Sequence, residues 1–449
     1  MLHTYKYAAQ SQLLQEPRAK LILATADTGG ERYPYFFEGR VLQPRLIADL
    51  LTAVHIIVGT RFYTPPGMNG RPMTLSDPVV TSGGGVLRFE GFSSCCGAYI
   101  RADMLPESYD GEVTGKGTTN IDFNSPMRAA LDKVRDAGGL ALAVGSNEFT
   151  IRSASGQATE RKVELPNRWL RGMVEVQSQQ AGMKRRFEVS GVDALRLFRG
   201  LPKSRTSRLS LWIARGPSGL YSTTRPVERG VRVMDTTRLR VLETLLPHCE
   251  SLSAYADDAQ QASAWVLDFG VARLTLSLTA EPWRGFSGEG QALSAMMQAD
   301  DSAVSAVLTR VRAQLQWQAA LDVNVLAREM NVATHVVSDA LRIIGASGLA
   351  GYDVLGGHYF HRVLPFDLSM LEDLHPRLKD AKSILLGEGV KVLRQRPFEA
   401  EVKSGDIPHH VREVDHELRC TCAWFAKHQG ERGPCKHVLA AATLRHATR

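Results

Sequence analysis

At 449 residues, 44% hydrophobic and 22% charged, the chain is too long for one core and fits about three domains of ordinary globular protein. Its net charge of +7 and pI of about 9.1, carried mostly by arginine, permit contact with nucleic acid. Spread over this length, that excess equally describes a basic surface kept soluble by self-repulsion. Six cysteines do not make a disulfide framework; with histidine at ligand spacing they point to metal and to a reducing, cytoplasmic setting. No apolar run approaches the ~20 residues of a membrane span, and the first residues lack the pattern of a secretory leader.

Four domains are expected, at 1–165, 166–300, 301–366 and 367–449. In the first, residues 44–53 pattern as a helix and 56–62 as a strand; 126–135 pattern as a second helix, followed by strands at 140–144 and 148–153. The run Ser82-Gly83-Gly84-Gly85 predicts a hairpin loop. Cys95-Cys96-Gly97 reads as buried packing on a strand, because no His or Lys lies nearby to activate a thiol. Residues 111–118 imitate a phosphate loop. The spacer is one residue short, however, and Gly117 stands where Ser or Thr should coordinate magnesium. Asp103, Asp110, Glu112 and Asp122 are acidic but fit no calcium-loop spacing. No nucleophile elbow or Ser-His-Asp order stands out, so the chain is expected not to be an enzyme.

The second domain looks internally repetitive. Residues 189–198 and 233–242 match in their Val, Leu-Arg and following apolar positions, each leads to a Leu-Pro, and each then enters alternating strands (209–215 and 265–278). The fold class expected is therefore α+β, multidomain, with repeated helix–strand units. Their order resembles that of the sliding-clamp fold, without a clamp motif.

In the third domain a helix at 302–319 precedes a short helix at 325–330, a turn at 331–333, a second helix from Thr334 to about 345, and a hairpin over Gly356-Gly357. This is the winged-helix order. Val336, Val337, Ala340, Leu341 and Ile344 form a core stripe, and His335, Ser338, Asp339 and Arg342 lie opposite. In a DNA reader that face would enter the major groove, with Arg362 on the wing. One firm cation beside an acid suits a structural or protein-contact role at least as well.

The last domain has helical patterning at 371–386 and strands at 390–393, 398–402 and 411–414. It closes on Cys420-Thr421-Cys422, twelve residues, Cys435-Lys436-His437, and a helix at 436–446. Three thiols and one imidazole form a complete tetrahedral Zn2+ set, which leaves no open position and predicts one structural zinc ion. Gly430, Gly433 and Pro434 allow the tight return between the two ligand pairs. Lys427, Arg432 and Lys436 near the ligands are candidate phosphate contacts, together with Arg342 and Arg362.

The order strand, Cys-x-Cys, loop, Cys-x-His, helix resembles the SWIM zinc finger, strengthened by Cys-Thr-Cys-Ala-Trp-Phe-Ala-Lys-His and Gly-Pro-Cys-Lys-His-Val-Leu-Ala-Ala. One departure is Ala423, where Pro is expected. The whole chain also resembles bacterial SWIM-finger proteins, through residues 117–124 with 127–131 and through the hairpin at 351–362. That resemblance implies zinc binding, contacts with DNA or protein, and association with AAA+ ATPase and von Willebrand A partners. The function expected is a zinc-binding protein that meets DNA through a winged-helix plus zinc-finger surface, the alternative being a protein adaptor for such an assembly.

Overall fold

A computed structural model describes residues 35–62, 78–112, 117–120, 164–203, 210–283, 285–288, 302–315, 318–364, 376–405, 407–415 and 417–447. It also describes short stretches at 3–4, 12–14, 20–23, 131–132, 134, 136, 140–145, 290 and 292–293. Helices and strands are mixed along the chain, in several sheets. Two compact units emerge. The first comprises Met1–Trp169, Gly182–Phe286 and Val354–Gly356; the second comprises Leu170–Ala181, Ser287–Asp353 and Gly357–Arg449. Among the described residues, no helix is long and apolar enough to cross a membrane.

The first unit is organised by an eight-stranded sheet. Its order is Lys184–Ser190, Ser251–Ala256, Ala262–Asp268, Ala272–Thr279, Ala98–Met104, Val86–Phe92, Val79–Gly83 and Gly117–Asn120. The strands that meet in the middle come from distant parts of the chain: Leu276 stands opposite Ile100 and Leu274 opposite Ala102. Both faces of these two strands are buried, and one face carries polar side chains: Arg101 and Asp103 on the first strand, Thr275 and Ser277 on the second.

Three helices are each followed by three strands. Pro44–Val58 precedes Val79–Gly83, Val86–Phe92 and Ala98–Met104. Gly191–Gly200 precedes Leu211–Gly216, Gly219–Thr223 and Val231–Val233. Thr236–Leu239, with the short turns after it, precedes Ser251–Ala256, Ala262–Asp268 and Ala272–Thr279. Side chains at the caps start two of the helices: Ser190 Oγ accepts from Asp193 N at 3.2 Å, and Asp235 Oδ1 accepts from Arg238 N at 3.1 Å.

Two local expectations change here. The predicted strand at 56–62 begins inside a helix, because Pro44–Val58 continues through Ile57 and Val58, both buried, and ends at Gly59. The β-branched run reads as strand locally, but packing of the apolar face overrides that preference. Cys95 and Cys96 lie in the turn between Val86–Phe92 and Ala98–Met104, not in a strand. The hairpin at 82–85 forms, with Gly84 and Gly85 at positive φ. Most of the predicted helix at 126–135, and all of the strand at 148–153, lie outside the described residues.

In the second unit, Ser302–Gln314, Val323–Met330 and Thr334–Ala346 pack with the hairpin of Ala350–Asp353 and His358–His361 around Val311, Leu326, Leu341, Ile344 and Tyr359. Asp322 caps the second of these helices, its side chain accepting from Asn324 N and Val325 N. Asn331, in the left-handed region at φ 54°, ends it. Thr334, expected as a cap, is instead the first helical residue, and Ala333 holds the cap position without a side-chain bond. The last part of the unit is a four-stranded antiparallel sheet, Val390–Gln395, Phe398–Ser404, Ile407–Val414 and Glu417–Cys420 in that order, with the helices Pro376–Leu386, Ala423–His428 and Lys436–Ala447.

Candidate metal centre

Each of the four predicted ligands is set by a short-range device. Cys420 ends the strand Glu417–Cys420. Two residues later Cys422 is the N-cap of Ala423–His428, its Sγ accepting from Phe425 N at 3.4 Å. Cys435 stands just before Lys436–Ala447 and does the same, Sγ accepting from Val438 N at 3.4 Å. The third N–H to sulfur bond runs from Cys422 N to Cys420 Sγ, also at 3.4 Å. Donors placed this way favour the anionic form of sulfur, and two of them come from helix N-termini. Between the ligand pairs, Gln429 and Gly430 turn the chain at positive φ, and Gly433 turns it again at φ 74°.

The donor atoms of Cys420, Cys422, Cys435 and His437 lie within 4.8 Å of one another, and all four residues are buried. His437 Nδ1 is 3.8 Å from Cys420 Sγ and 3.9 Å from Cys435 Sγ. Its ring packs against His409 with centroids 4.2 Å apart. Without a cation the thiols are poor acids. The hydrogen bond Cys435 shares with Cys420, and then burial, push its thiol up to about 12. Burial also raises Cys422. Three buried thiols and an imidazole converging this closely fit a tetrahedral divalent cation such as Zn2+. Zn2+ held there would cross-link strand to helix, with every position taken by protein.

One support was not legible in the sequence. Arg377, on the helix Pro376–Leu386, donates through Nη1 to the carbonyls of Arg432 and Pro434, both at 2.9 Å. The guanidinium also stacks 4.8 Å over the Trp424 ring. It thereby ties down both flanks of Gly433 and the helix that follows Cys422. Arg377→Ala is expected to loosen the ligand loop and weaken zinc retention about tenfold, the usual scale for a residue that orients ligands. Competition with a chromophoric chelator measures this, and unchanged affinity would remove the role. Ala423, the departure from the expected Pro, occupies the first helical position, where either residue is tolerated.

The candidate phosphate contacts differ in exposure and partners. Lys427 is exposed, and Arg432 and Lys436 are partly buried, Lys436 lying 3.7 Å from Asp380. Arg342 pairs with Asp339 at 3.4 Å. Arg362, expected on an exposed wing, is only 1% exposed. Its Nη2 donates to the carbonyls of Met173 at 3.2 Å and Ala350 at 3.4 Å. Stripping water from a guanidinium costs several kcal/mol, which those carbonyls help to offset; the group is committed to the interior. His428 stacks on Trp424 and stands outside the ligand group.

No curated protein sequence matches the chain. Among solved structures it is similar to the proliferating cellular nuclear antigen of Entamoeba histolytica, at 8% identity over 55% of this chain and 98% of that one, with a TM-score of 0.34. It is similar to pol III beta of Caulobacter crescentus at 14% identity over 54% of this chain, with a TM-score of 0.31. A DnaN sliding clamp from Bartonella birtlesii gives 13% identity over 54% of this chain, with a TM-score of 0.34. The match spans 65% of each of these two bacterial chains. Scores this low do not establish a shared fold. The family model described as SWIM zinc finger matches residues 414–446, the segment that holds all four donors. This chain carries a SWIM zinc finger at residues 414–446.

Proposed function

We propose that the chain is a non-enzymatic, zinc-stabilised binding protein whose SWIM finger presents its four-stranded sheet to nucleic acid. The observation that carries this reading is the charge on the sheet's outer face. Phe398, Ala400 and Val402 point into the finger core, so Glu399, Glu401 and Lys403 point out. Register places Glu401 between Lys391 and His410, Arg394 opposite Glu399, and Arg412 between Glu399 and Arg419. Five exposed cations, Lys391, Arg394, Lys403, Arg412 and Arg419, thus share a face with three carboxylates, Glu399, Glu401 and Glu417. Arg412 and Arg419 stand directly opposite each other, a like-charge pairing that weakens a sheet; Asp415, 3.8 Å from Arg419, relieves part of it, and a bound polyanion would relieve the rest. Lys427, Arg432 and Lys436 remain in the reading as phosphate contacts from the ligand loop.

The winged-helix-like segment serves as scaffold in this proposal. Its second helix is buried at Val336, Val337, Ala340, Leu341 and from Ile343 through Ala346, so it has little free face to place in a groove. The double variant Arg412→Ala/Arg419→Ala is expected to weaken DNA binding about tenfold and to reduce the salt slope by about two. Fluorescence anisotropy with single- and double-stranded DNA across a salt series measures both. Unchanged affinity and slope would transfer the role to a protein adaptor, of the kind that serves an AAA+ ATPase and von Willebrand A assembly. The exposure of Leu386, Leu393 and Ile407 at 79%, 46% and 65% favours that second reading.

A further inference from the structure

The first unit holds a sulfur site unrelated to the zinc finger. Cys95 sits half-buried in the turn joining Val86–Phe92 to Ala98–Met104. Arg238 arrives there from 143 residues along the chain, its Nη1 3.4 Å from Cys95 Sγ and 2.7 Å from Ser93 Oγ. The backbone N–H of Phe62 donates to the same sulfur at 3.4 Å. Ser93 Oγ already accepts from Ala98 N at 3.0 Å and from Arg238, which leaves its own hydrogen for Cys95 Sγ, 3.6 Å away. Three donors therefore converge on one sulfur, and one of them is a cation.

A second observation is independent of the cysteine. Arg238 is 2% exposed, and Asp235 holds its Nε. Its Nη2, on the guanidinium that faces Cys95, is buried with no hydrogen-bond partner among the described residues. It lies beside Gly97, where a Cβ would stand 3.0 Å from it. A buried guanidinium N–H with no acceptor is costly, and an oxygen bound next to the sulfur would satisfy it.

We propose that Cys95 is a thiolate site for hydroperoxides, in which Arg238 holds the thiolate through Nη1 and receives a peroxide-derived oxygen at Nη2. The sulfur attacks the terminal oxygen of R–O–O–H. The S–O bond forms as the O–O bond breaks, sulfur loses two electrons, and the alkoxide leaves with the peroxide proton as R–OH. Cys95 is left as sulfenate, its oxygen within reach of the unpartnered N–H. Burial pushes the Cys95 thiol up, but the Arg238 charge and the bonds from Phe62, Ser93 and Gly97 outweigh it and hold the group below its usual value. Cys249 shows the contrast: burial, reinforced by the nearby Asp268 carboxylate, pushes its thiol up to about 11.

The test uses the zinc-loaded full chain, treated with hydrogen peroxide in the presence of dimedone and read peptide by peptide in the mass spectrometer. Cys95 should form the dimedone adduct at least about tenfold faster than Cys249, as thiolate character and exposure dictate. Ser93→Ala, which leaves the Arg238–Asp235 pair in place, should slow that reaction about threefold. The pH profile of Cys95 alkylation by iodoacetamide in the unmodified protein needs no variant, and its midpoint should fall below that of Cys95 in the urea-unfolded chain. A midpoint at or above the unfolded one, or a Cys95 adduct forming no faster than at Cys249, overturns the proposal.

Discussion

Cys435→Ser is expected to abolish zinc binding and unfold the finger. Metal content should fall from one ion per chain to below about a tenth, because structural zinc contributes on the order of 10–16 kcal/mol to small domains of this kind. The finger core has little to replace it. Phe398, Ala400, Val402, Val411, Phe425, Val438 and Ala441 pack around the three cysteines themselves, so losing the metal removes the centre of the cluster. Hydrogen exchange across Phe398–Ser404, Ile407–Val414 and Glu417–Cys420 should rise towards unprotected rates. Retained zinc at full stoichiometry would defeat the ligand assignment. Loading should also depend on pH. With Cys422 and Cys435 both raised, and Cys435 at about 12, each gives up a proton when metal binds near neutrality. Affinity should then fall by about a hundredfold for each pH unit of acidification from these two thiols alone.

The second large effect is expected at Gly433. Its φ of 74° lies in the left-handed region, and a Cβ there would overlap the carbonyl oxygen of Gly290. The obstacle is backbone, which cannot swing away as a side chain would. Gly433→Ala should therefore cost more than about 3 kcal/mol, of which roughly 1 kcal/mol is the conformational penalty. Gly430→Ala is the control. That residue also has positive φ, at 83°, but a Cβ meets nothing within 4 Å, so only the conformational part should appear. Equal thermal destabilisation of the two variants would show that the close approach to Gly290 does not matter.

The finger was readable because its signals are local. Cys420 and Cys422, two apart at a strand end, and Cys435 and His437, bracketing a helix start, converge through devices no longer than one turn. The helix Ala423–His428 inside the ligand loop was not foreseen; six residues are too few for periodicity to register. The hairpin at Gly356-Gly357 and the helix order before it were legible for the same reason of range.

By itself, then, the amino-acid order determined the zinc ligand set, the short turns and the alternation of helices with strands, all of which depend on neighbours a few residues apart. Only the tertiary structure decided what reaches across the chain. It joined Ala98–Met104 to Ala272–Thr279 in one sheet, brought Arg238 to Cys95, and set Arg377 on the ligand loop. It also buried Arg362, which its sequence context marked as a surface cation. Side-chain chemistry says what a guanidinium can bind, but which carbonyl, ring or sulfur it meets is settled by packing over distances that local pattern does not encode.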